Sequence, residues 1–337
     1  MHSQPHRTLV IGHRGAPGYR PEHSESSYRL AFELGADAVE PDIVVSKDGV
    51  LVVRHENEIS GTTDIAQRAE FAHLRTTKTI DGQKLTGWFT EDLTWAELAT
   101  LRCRERLPKV RPDNCRFDGD EPMLRLRDVL AIVDDEARTR GRTLQTVVEI
   151  KHAAFYAGLG VDIGALLLAE LGETGWADTP ERLVIEAFEL GVLDRLREAG
   201  VAATLIYLTE RAGTAADEPQ PGAASRPYAW YRSDEGLDLL AGRVNGISVA
   251  KADLLRLSAL GRAVGATDLV DRAHARGLSV FTWTLRPENR YLNLRFQSSL
   301  HGEEWGRWQR EFAMILASGI DGIFVDHPDL GVATRDA

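Results

Sequence analysis

The stretch that decides the fold is AVEPDIVVSKDGVLVVRHE, residues 38–56. Two apolar runs flank a Ser-Lys-Asp-Gly segment, and Asp-Gly between such runs predicts a tight β-hairpin. The second run therefore folds back antiparallel on the first, so it is not a strand of a parallel sheet. A two-residue turn at Asp48 and Gly49 would place Asp42 opposite His55, with Glu40 and Asp42 on one face of their strand.

Outside this hairpin, β-branched and apolar runs alternate with amphipathic helical patterns, which indicates a parallel sheet covered by helices. The expected strands are Thr8–Gly12, Ala38–Val45, Val50–Arg54, Thr146–Lys151, Arg182–Phe188, Ala203–Thr209, Gly246–Lys251, Ser279–Leu285 and Gly322–Asp326. Removing the returning arm of the hairpin leaves eight strands. The sequence thus predicts an α/β fold, a single TIM (β/α)8 barrel over residues 1–337 with an antiparallel hairpin after its second strand.

Composition narrows the function classes. The 337 residues carry a net charge of −11, which argues against a nucleic-acid-binding protein because no broad basic surface is available. No apolar run is long enough to span a membrane. No signal peptide is visible, so we expect a cytoplasmic protein, or a secreted or periplasmic one if a leader has been removed. The oligomeric state stays open.

The two cysteines, Cys103 and Cys115, do not form a metal-binding pattern. Their short separation would permit a local disulfide in a secreted protein, but two free thiols are the simpler expectation.

Polar side chains gather where the expected barrel strands end. His13 and Arg14 follow the first strand, Glu149 and Lys151 share a face at the end of another, and Trp283 lies in a later one. Because the carboxyl ends of TIM-barrel strands surround one mouth, we expect these side chains to meet there. Two long loops, residues 211–235 and 286–304, leave strands on the same side and would shape the specificity of the site.

The residue types indicate phosphodiester chemistry. Glu40, Asp42 and Glu149 offer hard oxygen ligands, which suit Ca²⁺ or Mg²⁺ better than zinc. Arg14 and Lys151 can hold a phosphate. Two histidines with pKa values near neutrality can act as general base and general acid. No Gly-rich nucleotide-binding motif is present, so neither nucleotide-fuelled transfer nor dinucleotide redox chemistry has support.

Four segments resemble the signature segments of the glycerophosphodiester phosphodiesterase family: HRGAPGYRPEHS, VEPDIVVSKDGVLVVRHE, VEIK and DGIFVDHPD. The resemblance runs from the first strand to the last. It implies a TIM barrel that hydrolyses a small-molecule glycerophosphodiester to an alcohol and sn-glycerol 3-phosphate. The segment 57–121 looks like the insertion, after the second histidine, that marks members such as the periplasmic bacterial enzymes.

Matched by position, the resemblance implies the following roles: His13 and His55 as the catalytic acid–base pair, Glu40, Asp42 and Glu149 as ligands of one divalent cation, and Arg14 and Lys151 as phosphate contacts. For the cation we expect Ca²⁺ before Mg²⁺. Trp283 is assigned to substrate binding, with a purely structural role as the alternative. In the family mechanism a glycerol hydroxyl attacks phosphorus, and water then opens the resulting cyclic phosphate.

Several points stay open in the sequence. Pro41, between the two acids, is unusual inside a strand and could mark a bulge that aims the carboxylates or could disturb the register. His23 stands where many relatives have Asn, and it could reach substrate or act structurally beside Ser24. Asp326 is expected to orient a neighbour or end a strand. The alternative functions are a lysophospholipase D or sphingomyelinase-D-like activity on lipid headgroups, and a non-catalytic phosphate-binding barrel.

Overall fold

The structure is a computed structural model that describes residues 7–218 and 225–337. Residues 219–224, in the expected loop 211–235, lie outside the described part. The strands are β1 (Leu9–His13), β2 (Ala38–Glu40), β3 (Asp42–Val45), β4 (Leu51–Val53), β5 (Thr76–Ile80), β6 (Gln83–Gly87), β7 (Gln145–Ile150), β8 (Leu183–Ala187), β9 (Thr204–Thr209), β10 (Gly246–Ala250), β11 (Leu255–Leu257), β12 (Ala263–Ala266), β13 (Ser279–Leu285) and β14 (Gly322–Val325).

The helices are α1 (Glu25–Glu33), α2 (Trp95–Leu98), α3 (Leu126–Arg140), α4 (Ala153–Gly158), α5 (Ile163–Thr174), α6 (Leu190–Glu198), α7 (Tyr228–Tyr231), α8 (Asp234–Leu240), α9 (Leu269–His274), α10 (Trp308–Leu316) and α11 (Pro328–Arg335). Their ends follow from local sequence: the Ser24 side chain caps α1, and Gly141 and Gly175 end α3 and α5 in the left-handed conformation. No helix in the described ranges is long and apolar enough to cross a membrane.

A closed parallel barrel confirms the predicted fold. The second position of the barrel is shared by β2 and β3. Around the barrel the strands follow in the order β1, β2/β3, β7, β8, β9, β10, β13 and β14, and β14 pairs with β1 to close the barrel. Counting β2 and β3 as one interrupted strand, eight strands of the described chain form the barrel. β4 pairs antiparallel with β3, as the hairpin predicts.

Pro41 interrupts the second barrel strand without shifting it. Ala38 pairs with Gln145 before the proline and Asp42 pairs with Glu149 after it, so the register on β7 is unchanged. Pro41 has no N–H to donate, but its carbonyl accepts a hydrogen bond from the Glu149 amide at 3.0 Å. The strand therefore continues past Pro41 and brings Asp42 beside Glu149.

The predicted hairpin register is wrong by one residue. Ile43 pairs with Val53 and Val45 with Leu51, so Asp42 lies opposite Arg54 and not opposite His55. The cause is a three-residue turn over residues 47–49, in which Gly49 adopts the left-handed conformation at φ 80°. This extra residue shifts the returning arm.

Two further hairpins were not predicted. β5 and β6 form one inside the segment 57–121, and β11 and β12 form another after β10. Most side chains of β5 and β6 are exposed, so these strands lack the apolar alternation that marks a half-buried strand. Their turn, Asp81-Gly82, has positive φ at both residues and is a strong hairpin signal in the sequence.

Candidate active site

An apolar layer inside the barrel positions the polar groups above it. The layer consists of Ile11, Ala38, Val147, Val184, Ile206, Phe281 and Phe324. Because strand side chains alternate, the residue two positions later on each strand also points inward, one layer nearer the mouth. Those residues are His13, Glu40, Glu149, Glu186, Leu208, Trp283 and Asp326. Six of the seven line a single cavity of about 800 Å³, and the exception, Asp326, lies beside it, against His13.

The three predicted metal ligands come together. Oxygens of Glu40, Asp42 and Glu149 lie within 4.8 Å of one another, and all three residues are buried. Burial, reinforced by the charge of Asp42, raises the pKa of Glu40 well above its usual range. Oδ1 of Asp42 has no hydrogen-bond partner among the described residues. Three buried carboxylates, with one oxygen that accepts no hydrogen bond from a described residue, suit a hard divalent cation, which would relieve their mutual repulsion.

Glu186 is a fourth carboxylate in this cluster, and the sequence analysis missed it. It pairs with Glu149 across β7 and β8 and is fully buried. Within the described chain neither of its carboxylate oxygens has a hydrogen-bond partner. Burial, then the charge of Glu149, raises its pKa well above the usual range. Its place two residues after the interior Val184 is the signal that could have found it.

Both predicted phosphate-binding cations lie against the carboxylates. The Arg14 amide donates to Glu40 at 3.1 Å, and its guanidinium lies 3.3 Å from Asp42. The Lys151 ammonium lies 2.5 Å from Glu149 and 3.6 Å from Asp42. Burial would raise the pKa of Asp42, but these cations, together with the histidines near it, hold it well below its usual range. Both cations thus lie within ion-pair distance of Asp42.

His13 is held by a single carboxylate. Its Nδ1 lies 2.7 Å from Oδ1 of Asp326, which leaves Nε2 on the side of Glu40, 3.9 Å from that carboxylate. Burial, with the charge of Arg14, lowers the pKa of His13 to about 4. At neutral pH the imidazole is therefore uncharged. Its Nδ1–H donates a hydrogen bond to Asp326, and its Nε2 is able to accept a proton. The prediction that Asp326 orients a neighbour fits this contact.

His55 has the same arrangement with a different partner. It lines the cavity, and its Nδ1 lies 2.5 Å from Oε1 of Glu56. Burial and the nearby cations Arg14 and Lys151 lower its pKa to about 3. The two histidines are thus two neutral imidazoles, each with Nδ1 against a carboxylate. Glu56 was not singled out in the sequence, because a carboxylate next to a histidine carries no signal by itself.

Trp283 lines the cavity with its ring edge-on to Phe188, at a centroid distance of 5.8 Å. Its indole Nε1 has no hydrogen-bond partner in the described ranges, so the group is free to donate to a ligand. The hairpin β5–β6 reaches the rim of the same cavity, where Asp81 bonds His152 at 2.5 Å.

His23 does not reach the cavity. It is fully buried behind Asp42, with Nε2 at 3.0 Å from that carboxylate and Nδ1 at 2.7 Å from the Tyr28 hydroxyl. Its contacts support the structural alternative. Cys103 and Cys115 are both free, so the disulfide alternative is not realised.

Comparison with known proteins finds the same family by sequence model and by individual relatives. The sequence matches the Glycerophosphoryl diester phosphodiesterase family over residues 13–330. The chain is 29% identical over 353 aligned positions to glycerophosphodiester phosphodiesterase GDPD6 of Arabidopsis thaliana, covering 96% of this chain and 84% of that protein. It is 24% identical to a glycerophosphodiester phosphodiesterase of Haemophilus influenzae, covering 96% of this chain and 88% of the relative.

Solved structures show the same fold. A glycerophosphoryl diester phosphodiesterase from Silicibacter pomeroyi superimposes with a TM-score of 0.66 at 21% identity, covering 99% of this chain and 95% of that one. A phosphodiesterase from Oleispira antarctica, solved in complex with sn-glycerol-3-phosphate, superimposes with a TM-score of 0.62 at 18% identity, covering 98% of each chain. Because the family model matches residues 13–330, the chain is an enzyme that belongs to the Glycerophosphoryl diester phosphodiesterase family.

Proposed function

We propose that this enzyme hydrolyses glycerophosphodiesters to an alcohol and sn-glycerol 3-phosphate, by acid–base catalysis with His13 and His55 at a site that holds one divalent cation. The observation that carries the proposal is the shared cavity. Two neutral imidazoles, two cations and the carboxylates of Glu40 and Glu149 line the same space, and an oxygen of Asp42 lies within 4.8 Å of those two carboxylates. The complex of the Oleispira antarctica relative with sn-glycerol-3-phosphate supports the product.

Glu40, Asp42 and Glu149 would hold the cation. The donor set is made of buried protein carboxylates, which suits Ca²⁺, whereas Mg²⁺ keeps several waters and demands stricter geometry. We therefore place Ca²⁺ before Mg²⁺. When bound, such a cation neutralises charge on the phosphate oxygens and favours attack at phosphorus.

The protein side chains divide the remaining work. Arg14 and Lys151 bind the phosphate oxygens, and Trp283 contacts the substrate at the side of the cavity. One histidine accepts the proton of a glycerol hydroxyl through Nε2, and that oxygen attacks phosphorus. The other histidine first takes up a proton from solvent, which the negative charge of the bound phosphodiester favours, and then gives it to the oxygen of the departing alcohol. Water then opens the cyclic phosphate with the histidine roles reversed, which restores both protonation states.

Residues 1–337 would act as a single catalytic domain, with 57–121 as an insertion in it. Supporting this, buried side chains of the segment, such as Ile59, Leu93 and Leu101, belong to the same apolar cluster as the barrel strands and helices.

The test is release of glycerol 3-phosphate from glycerophosphocholine by the wild type, His13→Ala and His55→Ala, with folding checked by circular dichroism. Loss of a general acid or base should lower kcat by at least about 100-fold. Near-normal turnover by either folded variant would remove that histidine from the mechanism. Preference for lysophosphatidylcholine would favour the lipid-headgroup alternative. Binding of glycerol 3-phosphate without turnover of either substrate would favour a phosphate-binding barrel.

A further inference from the structure

Arg111, in the segment 57–121, contacts the carboxylate that holds His13. Its Nη2 lies 2.6 Å from Oδ2 of Asp326, whose Oδ1 contacts His13. The guanidinium is buried and is fixed further by Glu288 at 2.8 Å and by the Pro17 carbonyl at 2.9 Å. An arginine with this many fixed partners cannot rotate away without breaking several hydrogen bonds.

Arg106, five residues earlier, contacts the carboxylate that holds His55. Two hydrogen bonds join its guanidinium to Glu56, at 2.6 and 3.0 Å, and Oε1 of Glu56 contacts Nδ1 of His55. Arg106 also donates twice to Glu22, each at 2.6 Å. Glu22 in turn accepts from Arg14 at 3.1 Å.

The two histidines are therefore supported in the same way, although His13 ends β1 and His55 follows β4. In each case an arginine of one short stretch, residues 106–111, holds a carboxylate, and the carboxylate accepts a hydrogen bond from Nδ1 of the imidazole. The hydrogen bond from the arginine stops the carboxylate from rotating and keeps it ionised. An ionised, fixed carboxylate keeps the imidazole proton on Nδ1 and aims Nε2 at the cavity.

We propose that Arg106 and Arg111 are positioning residues, through which the segment 57–121 sets the tautomer and orientation of both His55 and His13. This inference rests on the proposed function of the two histidines. The segment then does more than cover the mouth of the barrel. Its removal would take away the arginine that holds Glu56 and would leave Asp326 with Arg286, at 2.6 Å, as its remaining arginine. Of the groups assigned to the reaction, Arg111 supports His13, whereas Arg106 supports His55 and also the phosphate contact Arg14, through Glu22.

The test compares Arg111→Met and Arg106→Met with Arg104→Met, a matched control from the same segment whose partner is Asp118, outside the site. With glycerophosphocholine, Arg111→Met should lower kcat about 10- to 100-fold and leave KM within about twofold. Arg106→Met should lower kcat similarly and also raise KM, because Arg14 loses its support. Arg104→Met should resemble the wild type. If both site variants turn over within twofold of the wild type, the inference is wrong.

Double variants separate positioning from general stabilisation. If Arg111 acts through Asp326, Arg111→Met with Asp326→Asn should be no slower than Asp326→Asn alone, whereas Arg111→Met with Glu56→Gln should show the product of both losses. Multiplicative losses within the Arg111–Asp326 pair would contradict the inference. Where Met variants do not fold, Arg111→Lys and Arg106→Lys keep the charge but lose the paired geometry, and the same comparisons apply.

A second measurement does not depend on turnover. The nitrogen NMR signals of the imidazoles in the wild type at neutral pH should report protons on Nδ1 of both histidines. Arg111→Met should alter the signals of His13 and leave those of His55 unchanged. Arg106→Met should alter the signals of His55 and leave those of His13 unchanged. Unchanged signals in both variants would overturn the inference even in an active enzyme. An inactive wild type with these signals would count against the proposed function alone.

Discussion

Oδ1 of Asp326 lies 2.7 Å from Nδ1 of His13, although the two residues are 313 positions apart. The pairing of β1 with β14 closes the barrel and brings these positions together. A barrel that did not close would lose this contact. The orientation of His13 therefore depends on the strand pairing that closes the barrel.

Asp326→Asn is expected to lower kcat about 10- to 100-fold, because an amide presents a donor or a weaker acceptor to Nδ1 and no longer selects the Nδ1-protonated tautomer. Steady-state kinetics on glycerophosphocholine measure this. Asp329→Asn is a matched control, since Asp329 bonds only the Tyr19 hydroxyl among the contacts described for it. Equal kinetics for both variants would show that Asp326 does not orient His13.

Much of this arrangement could be predicted from the sequence. The apolar runs fixed where the barrel strands lie, and the two-residue alternation of strands put Glu40 with Asp42 and Glu149 with Lys151. The predicted mouth then followed from the rule for TIM barrels. Glu186 obeys the same alternation, but finding it requires knowing that Val184 faces the interior.

Other features of the structure could not be predicted from local sequence patterns. The hairpin register depended on whether the turn had two or three residues, and that was decided by the conformation of Gly49. Arg106 and Arg111 contact Glu56 and Asp326 across 50 and 215 positions, and no periodicity relates such partners. Long-range pairs of charged side chains become visible only once the fold is known.

Glu186→Gln is expected to weaken Ca²⁺ binding to chelator-treated enzyme by about 10-fold, because a buried carboxylate next to Glu149 adds negative charge or a further oxygen to the cation site. Isothermal titration with Ca²⁺ measures the affinity directly. Glu189→Gln serves as the control, since Glu189 lines the same cavity but accepts from the Ala154 amide. An unchanged Kd for Glu186→Gln would place Glu186 outside the cation site.

His23→Leu is expected to lower the free energy of unfolding by about 3 kcal/mol, because it leaves Asp42 and the Tyr28 hydroxyl buried without their partner. His23→Asn should cost less, since Asn keeps a polar side chain and tolerates the positive φ of 57° at this position. Urea unfolding of both variants tests the order. If His23→Leu were more stable than His23→Asn, the structural role given to His23 would be contradicted.

His327 should make the enzyme sensitive to acid. Burial, then the charge of Arg111, lowers its pKa to about 3, against about 6.5 in the unfolded chain. Its other neighbours are Asp326, Arg286 and the rings of Tyr19 and Trp305. Between these pKa values the unfolded state binds the proton and the folded state does not, so stability falls as the pH drops below 6.5.

Relative to His327→Phe, which keeps a ring in this position, the wild type should lose about 3 kcal/mol more of its free energy of unfolding between pH 6.5 and pH 4. Urea unfolding at several pH values measures the difference. Parallel pH dependences for the two proteins would show that His327 is not held neutral.

The most direct test concerns the cation and the phosphodiester together. Glycerol 3-phosphate released from glycerophosphocholine is measured for the enzyme treated with chelator, and again after Ca²⁺ or Mg²⁺ is restored, with Glu149→Gln alongside. We expect turnover to disappear with the chelator and to return with Ca²⁺ more fully than with Mg²⁺, and the variant to need far more metal than the wild type. Full turnover by the metal-free enzyme would contradict a cation held by these carboxylates at the reacting phosphate.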